Sequence, residues 1–160
     1  MSYEKRIAEA RSIAKMFAIA KDMVSEYLGA EQYGLLVGIS DLGMQRNGFV
    51  GAYYSPDANT IIINKRPLAK ILRQNPAHFN NYLFHVMLHE YVHSLGLYDE
   101  AQTRQVVGEM TAHYFGEEHA ITQLTWDIGK HFTHYTDEPP ADLSIEFVDG
   151  IDRKNTDYIN

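Results

Sequence analysis

The middle of the chain reads His89-Glu90-Tyr91-Val92-His93, and this stretch decides how the rest is interpreted. His89 and His93 are four residues apart, close to one turn of an α-helix, so their side chains share one face. Two neutral imidazoles in that arrangement can bind one zinc ion at about 2.0–2.1 Å, with Glu90 beside the metal as general base. The stretch therefore predicts a zinc-dependent hydrolase.

The composition around this stretch is that of one globular domain covering residues 1–160, with 45% hydrophobic and 22% charged residues. There are no cysteines, so a metal site has to use histidine and carboxylate ligands. The net charge of −7 argues against a broad nucleic-acid surface. No apolar run reaches the roughly 18 residues of a membrane span. We expect a soluble, cytoplasmic protein with no nucleic-acid or membrane partner, and the oligomeric state stays open.

The residue patterns on either side predict an α+β fold. Helical periodicity indicates one long helix over 3–28. Four further helices are predicted over 67–74, over 77–95, from Asp99 to about Phe115, and over 120–132. Strands are predicted at 35–40, 48–55, 60–64 and 143–148. The turn residues 56–59 join the second and third strands as an antiparallel hairpin. Gly96 is expected to end the helix that carries the histidines.

The segment from Leu88 to Gly96 resembles the active-site helix of the zincin metallopeptidases. In that superfamily a small mixed sheet precedes the helix, and its edge strand borders the cleft and binds substrate in extended form. The order of the hairpin at 48–64 and the helix at 77–95 is the same here. The resemblance extends over about residues 35–116. It implies a zincin-like fold, a Zn²⁺ cofactor and a peptide or protein substrate.

A catalytic zinc site needs a third protein ligand and an open position for water. Glu109 lies 16 residues after His93 on the next predicted helix, which resembles the glutamate helix of the gluzincins. The resemblance implies a metal set of His89, His93 and Glu109, with Glu90 as the catalytic residue. The chain departs from that family at His113, where an aspartate often orients the first histidine.

Two other carboxylates compete with Glu109 for this position. Asp99 completes a metzincin-like pattern of His-Glu-x-x-His-x-x-Gly-x-x-Asp, with Gly96 supplying the sharp turn. The methionine turn of metzincins has no match, because the only later methionine, Met110, lies inside a predicted helix. Asp99 is also well placed as a helix cap. Glu100 is the third choice.

The implied mechanism uses Glu90 to take a proton from the attacking water and to deliver it to the leaving amine. His113, Tyr114 and His119 are candidates for a second group that stabilises the oxyanion. His85 is one turn before His89 and is expected to pack beside the ligands rather than bind the same ion.

Two other functions remain open from the sequence. Bacterial ribosomal-RNA maturation nucleases carry a similar histidine pattern, and the spacing to Asp99 fits it, although Glu90 and the acidic net charge do not. The other alternative is a non-catalytic protein that keeps a zinc fold for binding. An intact Glu90 argues against that alternative, because a structural zinc site needs no general base.

Overall fold

A computed structural model describes residues 1–45, 50–128 and 137–151. Within these ranges the fold is α+β, as predicted, with six helices and a small mixed sheet of four strands. The elements in chain order are α1 (Tyr3–Glu9), α2 (Ile13–Leu28), β1 (Leu36–Ser40), β2 (Ala52–Ser55), β3 (Thr60–Asn64), α3 (Lys65–Gln74), α4 (Phe79–Ser94), α5 (Glu100–Phe115), α6 (Ala120–Asp127) and β4 (Glu146–Phe147).

The N-terminal region forms two helices, whereas the sequence predicts a single long helix over 3–28. Ala10 has an extended backbone, and Ser12 starts α2 by accepting a hydrogen bond from the N–H of Lys15. The side-chain amide of Asn80 on α4 donates to the carbonyls of residues 7, 8 and 10 at 2.8–3.2 Å. These carbonyls are left over at the end of α1, so a partner distant in sequence stabilises the break.

The sheet has the strand order β2-β3-β1-β4. The hairpin of β2 and β3 is antiparallel, as predicted, and β1 runs parallel to β3 with Leu36 opposite Thr60. The short β4 adds to β1 in antiparallel orientation. Because β2 is at one edge, one side of its backbone has no strand partner within the described residues. The first predicted residues of this strand, 48 and 49, lie outside the described residues.

Helix α4 forms the centre of the molecule. Of its 16 residues 12 are buried, and it packs against α2, α5, α6 and β2. A helix covered on almost every side is held rigidly by its neighbours. Leu88 and Val92 are buried, and they pack inward beside the histidines as the sequence predicts. The core thus fixes the orientation of the predicted metal ligands.

The turn between α4 and α5 follows the sequence prediction closely. Gly96 has a φ of +103°, which lets the chain leave α4 sharply. The carboxylate of Asp99 accepts a hydrogen bond from the N–H of Gln102 at 2.8 Å and caps α5. Only four residues separate the end of α4 at Ser94 from this cap. The first residue of α5 is therefore brought back beside the last turns of α4.

The segment 137–151 closes the other side of the sheet. Its backbone bridges Met44 at Glu138, and the N–H of Val148 donates to the carbonyl of Val37. Within the described residues, the helices are too short or too polar to cross a membrane. The predicted continuation of α6 over 129–132 lies outside the described residues.

Candidate metal centre

The last turns of α4 bring the predicted histidine pair together. The rings of His89 and His93 have their centroids 4.7 Å apart. One ligand atom each from His89, Glu90 and His93 lies within 4.8 Å of the others, which is close enough for a shared metal ion. The i, i+4 spacing on a buried helix explains why the two histidine rings meet.

The carboxylate of Glu100 lies against both histidines. Its Oε2 is 3.1 Å from Nε2 of His89, and its Oε1 is 2.8 Å from Nε2 of His93. Glu100 is the first residue of α5, where the helix dipole favours a negative charge. The residue that the sequence ranks third is thus the carboxylate that meets the histidine pair.

Glu109 lies elsewhere, and the structure does not bring it to the histidine pair. It is exposed, and its Oε1 accepts a hydrogen bond from the side chain of Gln105 at 2.8 Å. Nine residues separate it from Glu100 on α5, which corresponds to about half a turn around the helix and roughly 13 Å along it. The two carboxylates therefore point in opposite directions. Asp99 also lies outside the cluster, because its side chain caps α5.

The ring of His93 is fixed by hydrogen bonds on its other nitrogen. Its Nδ1 lies 2.7 Å from the carbonyl of Leu97, and Thr103 Oγ1 donates to the same carbonyl at 2.9 Å. A carbonyl can only accept, so Nδ1 carries the proton, and in the neutral ring Nε2 presents a lone pair. That lone pair faces a carboxylate oxygen of Glu100 at 2.8 Å. Two acceptors this close require a cation between them, either a proton or a metal ion.

Glu90 has the environment of a proton carrier. It is 5% exposed, and its Oε2 has no hydrogen-bond partner within the described part of the chain. Burial raises the pKa of Glu90 to about 7; the nearby carboxylate of Glu100 adds to this change, and the ring of His93 opposes it. A carboxyl group with a pKa near neutral pH can both accept and release a proton during a reaction cycle.

The neighbouring histidines are kept neutral. Burial lowers the pKa of His89; the nearby ring of His93 adds to this change, and the carboxylate of Glu100 opposes it. His85 is buried more deeply, and burial lowers its pKa to about 3. Its Nδ1 has no partner among the described residues. His85 packs one turn before His89, as the sequence predicts, with ring centroids 6.3 Å apart.

A cleft of about 300 Å³ opens directly over this cluster. Its floor is formed by His89, Glu90 and Glu100. One wall is formed by residues 50–52, where β2 begins. Another wall is apolar and is formed by Leu124 of α6 and by Ile128, which directly follows this helix. An extended ligand could therefore lie between the edge strand and α6 with its middle over the histidines.

No protein-family model, curated protein or solved structure matches this chain.

The residues that the sequence suggests as oxyanion donors do not line this cleft. His113 is exposed, the hydroxyl of Tyr114 donates to Glu26 at 2.9 Å, and His119 caps α6 and contacts Glu4. The cationic side chain in the wall of the cleft is Arg104. Sequence reasoning missed its position, although its spacing of four residues after Glu100 places both on one face of α5.

Proposed function

We propose that this protein is a zinc-dependent metallopeptidase in which His89, His93 and Glu100 hold the ion and Glu90 is the general base. The observation that carries the proposal is the approach of both Glu100 carboxylate oxygens to the Nε2 atoms of the two histidines at 2.8 and 3.1 Å. The revised ligand set replaces Glu109 with Glu100. A zincin-like arrangement is part of the same proposal.

The donor set fits zinc. Two imidazole nitrogens and one carboxylate are the kind of three-ligand set that catalytic zinc sites use. Two ligand atoms on a tetrahedral zinc ion are about 3.3 Å apart, because each bond is about 2.0–2.1 Å long. The observed separations are shorter by a few tenths of an ångström. Glu100 is largely exposed, with 65% of its side chain accessible, so its carboxylate has room to make that adjustment.

Each residue has a distinct task in the proposed reaction. When bound, zinc supplies a Lewis acid that lowers the pKa of water toward about 7 and polarises a carbonyl. Glu90 takes the proton of the attacking water on Oε2, which has no partner among the described residues, and delivers it to the leaving amine. The carbonyl of Leu97 holds the ring of His93 so that Nε2 faces the carboxylate of Glu100.

The edge strand β2 is the element to which a peptide substrate would bind. Strand β2 is at the end of the strand order, and its first residue, Ala52, lines the cleft together with the two residues before it. An extended peptide can add to a free strand edge through main-chain hydrogen bonds. This position would lay a peptide bond over the histidine cluster, which favours peptides as the substrate class.

Glu90→Gln tests the proposal, because it removes the base and keeps the shape of the side chain. We expect the variant to keep its zinc and to lose hydrolysis of a mixed peptide library by about 10²–10⁴-fold. Bound zinc is measured by mass spectrometry of the purified protein, and cleavage by analysis of the peptide products. Glu109→Gln is the matched control and should keep both properties. Hydrolysis by Glu90→Gln at the wild-type rate would contradict the mechanism.

A further inference from the structure

Arg104 lies in the wall of the cleft, and among the described residues it has no acidic partner. It follows Glu100 by four residues on α5, and a glutamate and an arginine at this spacing commonly form an ion pair. Here the carboxylate of Glu100 contacts His89 and His93 instead. No acidic side chain in the described ranges comes within ion-pair distance of the Arg104 guanidinium. Its charge is therefore left for a group that enters the cleft.

We propose that Arg104 forms a binding site for a carboxylate group of the substrate. The proposal rests on the peptidase function proposed above. A guanidinium presents paired N–H donors in a planar fork, and this geometry matches the two oxygens of a carboxylate. The carboxylate would come from an aspartate or glutamate side chain or from the C-terminus of a peptide.

The position of Arg104 sets the distance of that carboxylate from the reacting bond. Four residues of helix place its backbone about 6 Å from that of Glu100 along the axis of α5. An extended peptide advances roughly 3.3–3.6 Å per residue. The carboxylate therefore belongs to a residue one or two positions from the cleaved bond.

The surroundings of Arg104 restrict the ligand further. Leu124 and Ile128 form an apolar wall of the same cleft, so the aliphatic part of the bound residue has a surface to pack against. The protein as a whole carries a net charge of −7, which disfavours acidic ligands at long range. A preference for carboxylates would thus have to arise locally, from Arg104.

Positional libraries of internally quenched peptides provide the test. In one pair of libraries glutamate or glutamine is fixed at each position in turn, and in another pair the C-terminus is a free acid or an amide. We expect wild type to cleave the carboxylate member of one pair with about tenfold higher kcat/KM, because a partly exposed charged hydrogen bond is worth roughly this factor. In Arg104→Gln the ratio should fall to about one. The pair that responds identifies the source of the carboxylate.

Arg73→Gln is the matched control, because Arg73 is an exposed arginine on α3 and does not line the cleft. It removes the same charge from the protein and should keep the tenfold ratio. A ratio that is equal in wild type and Arg104→Gln would overturn the carboxylate site, even if both proteins cleave peptides. The absence of a carboxylate preference in both library pairs would also overturn it.

Binding separates this proposal from the proposed function. Fluorescein-labelled members of each pair are titrated into Glu90→Gln and into the double variant Glu90→Gln, Arg104→Gln, with fluorescence anisotropy as the readout. We expect Glu90→Gln to bind the carboxylate member about tenfold more tightly than the neutral member. The double variant should bind both members with equal affinity. If wild type cleaves no peptide, the peptidase proposal fails, and this binding contrast alone decides the role of Arg104. Equal affinities in the two variants would overturn that role.

Discussion

At the scale of single residues, the most specific prediction is that Glu100 is the third protein ligand of the zinc ion. Glu100→Ala removes the carboxylate that meets both histidines, so zinc affinity should fall by more than about 100-fold, beyond what the loss of an outer hydrogen bond costs. Glu109→Ala should bind zinc as wild type does, because Glu109 points away on the opposite face of α5. Competition with a chromophoric chelator measures both affinities. The ligand set is wrong if Glu100→Ala binds zinc as tightly as wild type.

The same residues show how much of the candidate site could be predicted from the sequence. The pair of histidines and Glu90 could be predicted because helical spacing alone puts them together. Glu100 could not be chosen over Asp99 and Glu109, since all three are carboxylates close behind the motif. The choice depends on the turn at Gly96 and on the cap at Asp99, which together set the direction in which α5 leaves. The position of Arg104 was missed because it also depends on the direction of α5.

At the scale of elements, Gly108 of α5 lies directly beside the ring of Trp126 on α6. An added Cβ would lie 2.5 Å from Cζ2 of the Trp126 ring. Alanine is normally favoured over glycine inside a helix by about 1 kcal/mol. We nevertheless expect Gly108→Ala to lower the free energy of unfolding by about 1–2 kcal/mol, because the rigid indole has to shift. Urea denaturation measures the change.

A second background tests the cause of this effect. In Trp126→Ala the indole is absent, so the same Gly108→Ala substitution should stabilise the protein by up to about 1 kcal/mol. A stabilising effect of Gly108→Ala in the wild-type background would contradict the close packing of α5 on α6.

The element boundaries also show which features of the fold depend on residues adjacent in sequence and which depend on distant residues. The hairpin of β2 and β3 and the cap of α5 follow from turn and capping residues that are adjacent in sequence. The break between α1 and α2 was missed because the apolar periodicity continues through it. Asn80, seventy residues further on, satisfies the carbonyls that the break leaves free. Sequence patterns within one segment carry no information about such a partner.

At the scale of the whole molecule, an ionic cluster around the buried side chain of Asp41 joins the segment 137–151 to the rest of the fold. Arg66 on α3 contacts Asp41 at 3.0 Å and Glu138 at 2.6 Å. The side chain of Asp41 is 3% exposed, and it also accepts hydrogen bonds from the N–H groups of Gly43 and Ala141 at 2.9 Å. These contacts link three parts of the chain that are separated by up to a hundred residues, which is why the sequence does not reveal them.

Stability in acid should therefore depend on Asp41. Burial raises the pKa of Asp41, but the hydrogen bonds from Ala141 and Gly43 and the charge of Arg66 outweigh burial and hold the pKa below its usual value. Because the folded pKa is lower than the unfolded value of about 3.9, the contribution of Asp41 is complete above pH 5 and is lost as the pH falls through the folded pKa.

Asp41→Asn should destabilise the protein by roughly 1–3 kcal/mol at pH 7, and by clearly less at pH 3. Asp57→Asn, an exposed turn residue, controls for the loss of one charge. Urea denaturation across this pH range measures the difference, and an equal effect of Asp41→Asn at both pH values would show that the ionised carboxylate does not hold the segment.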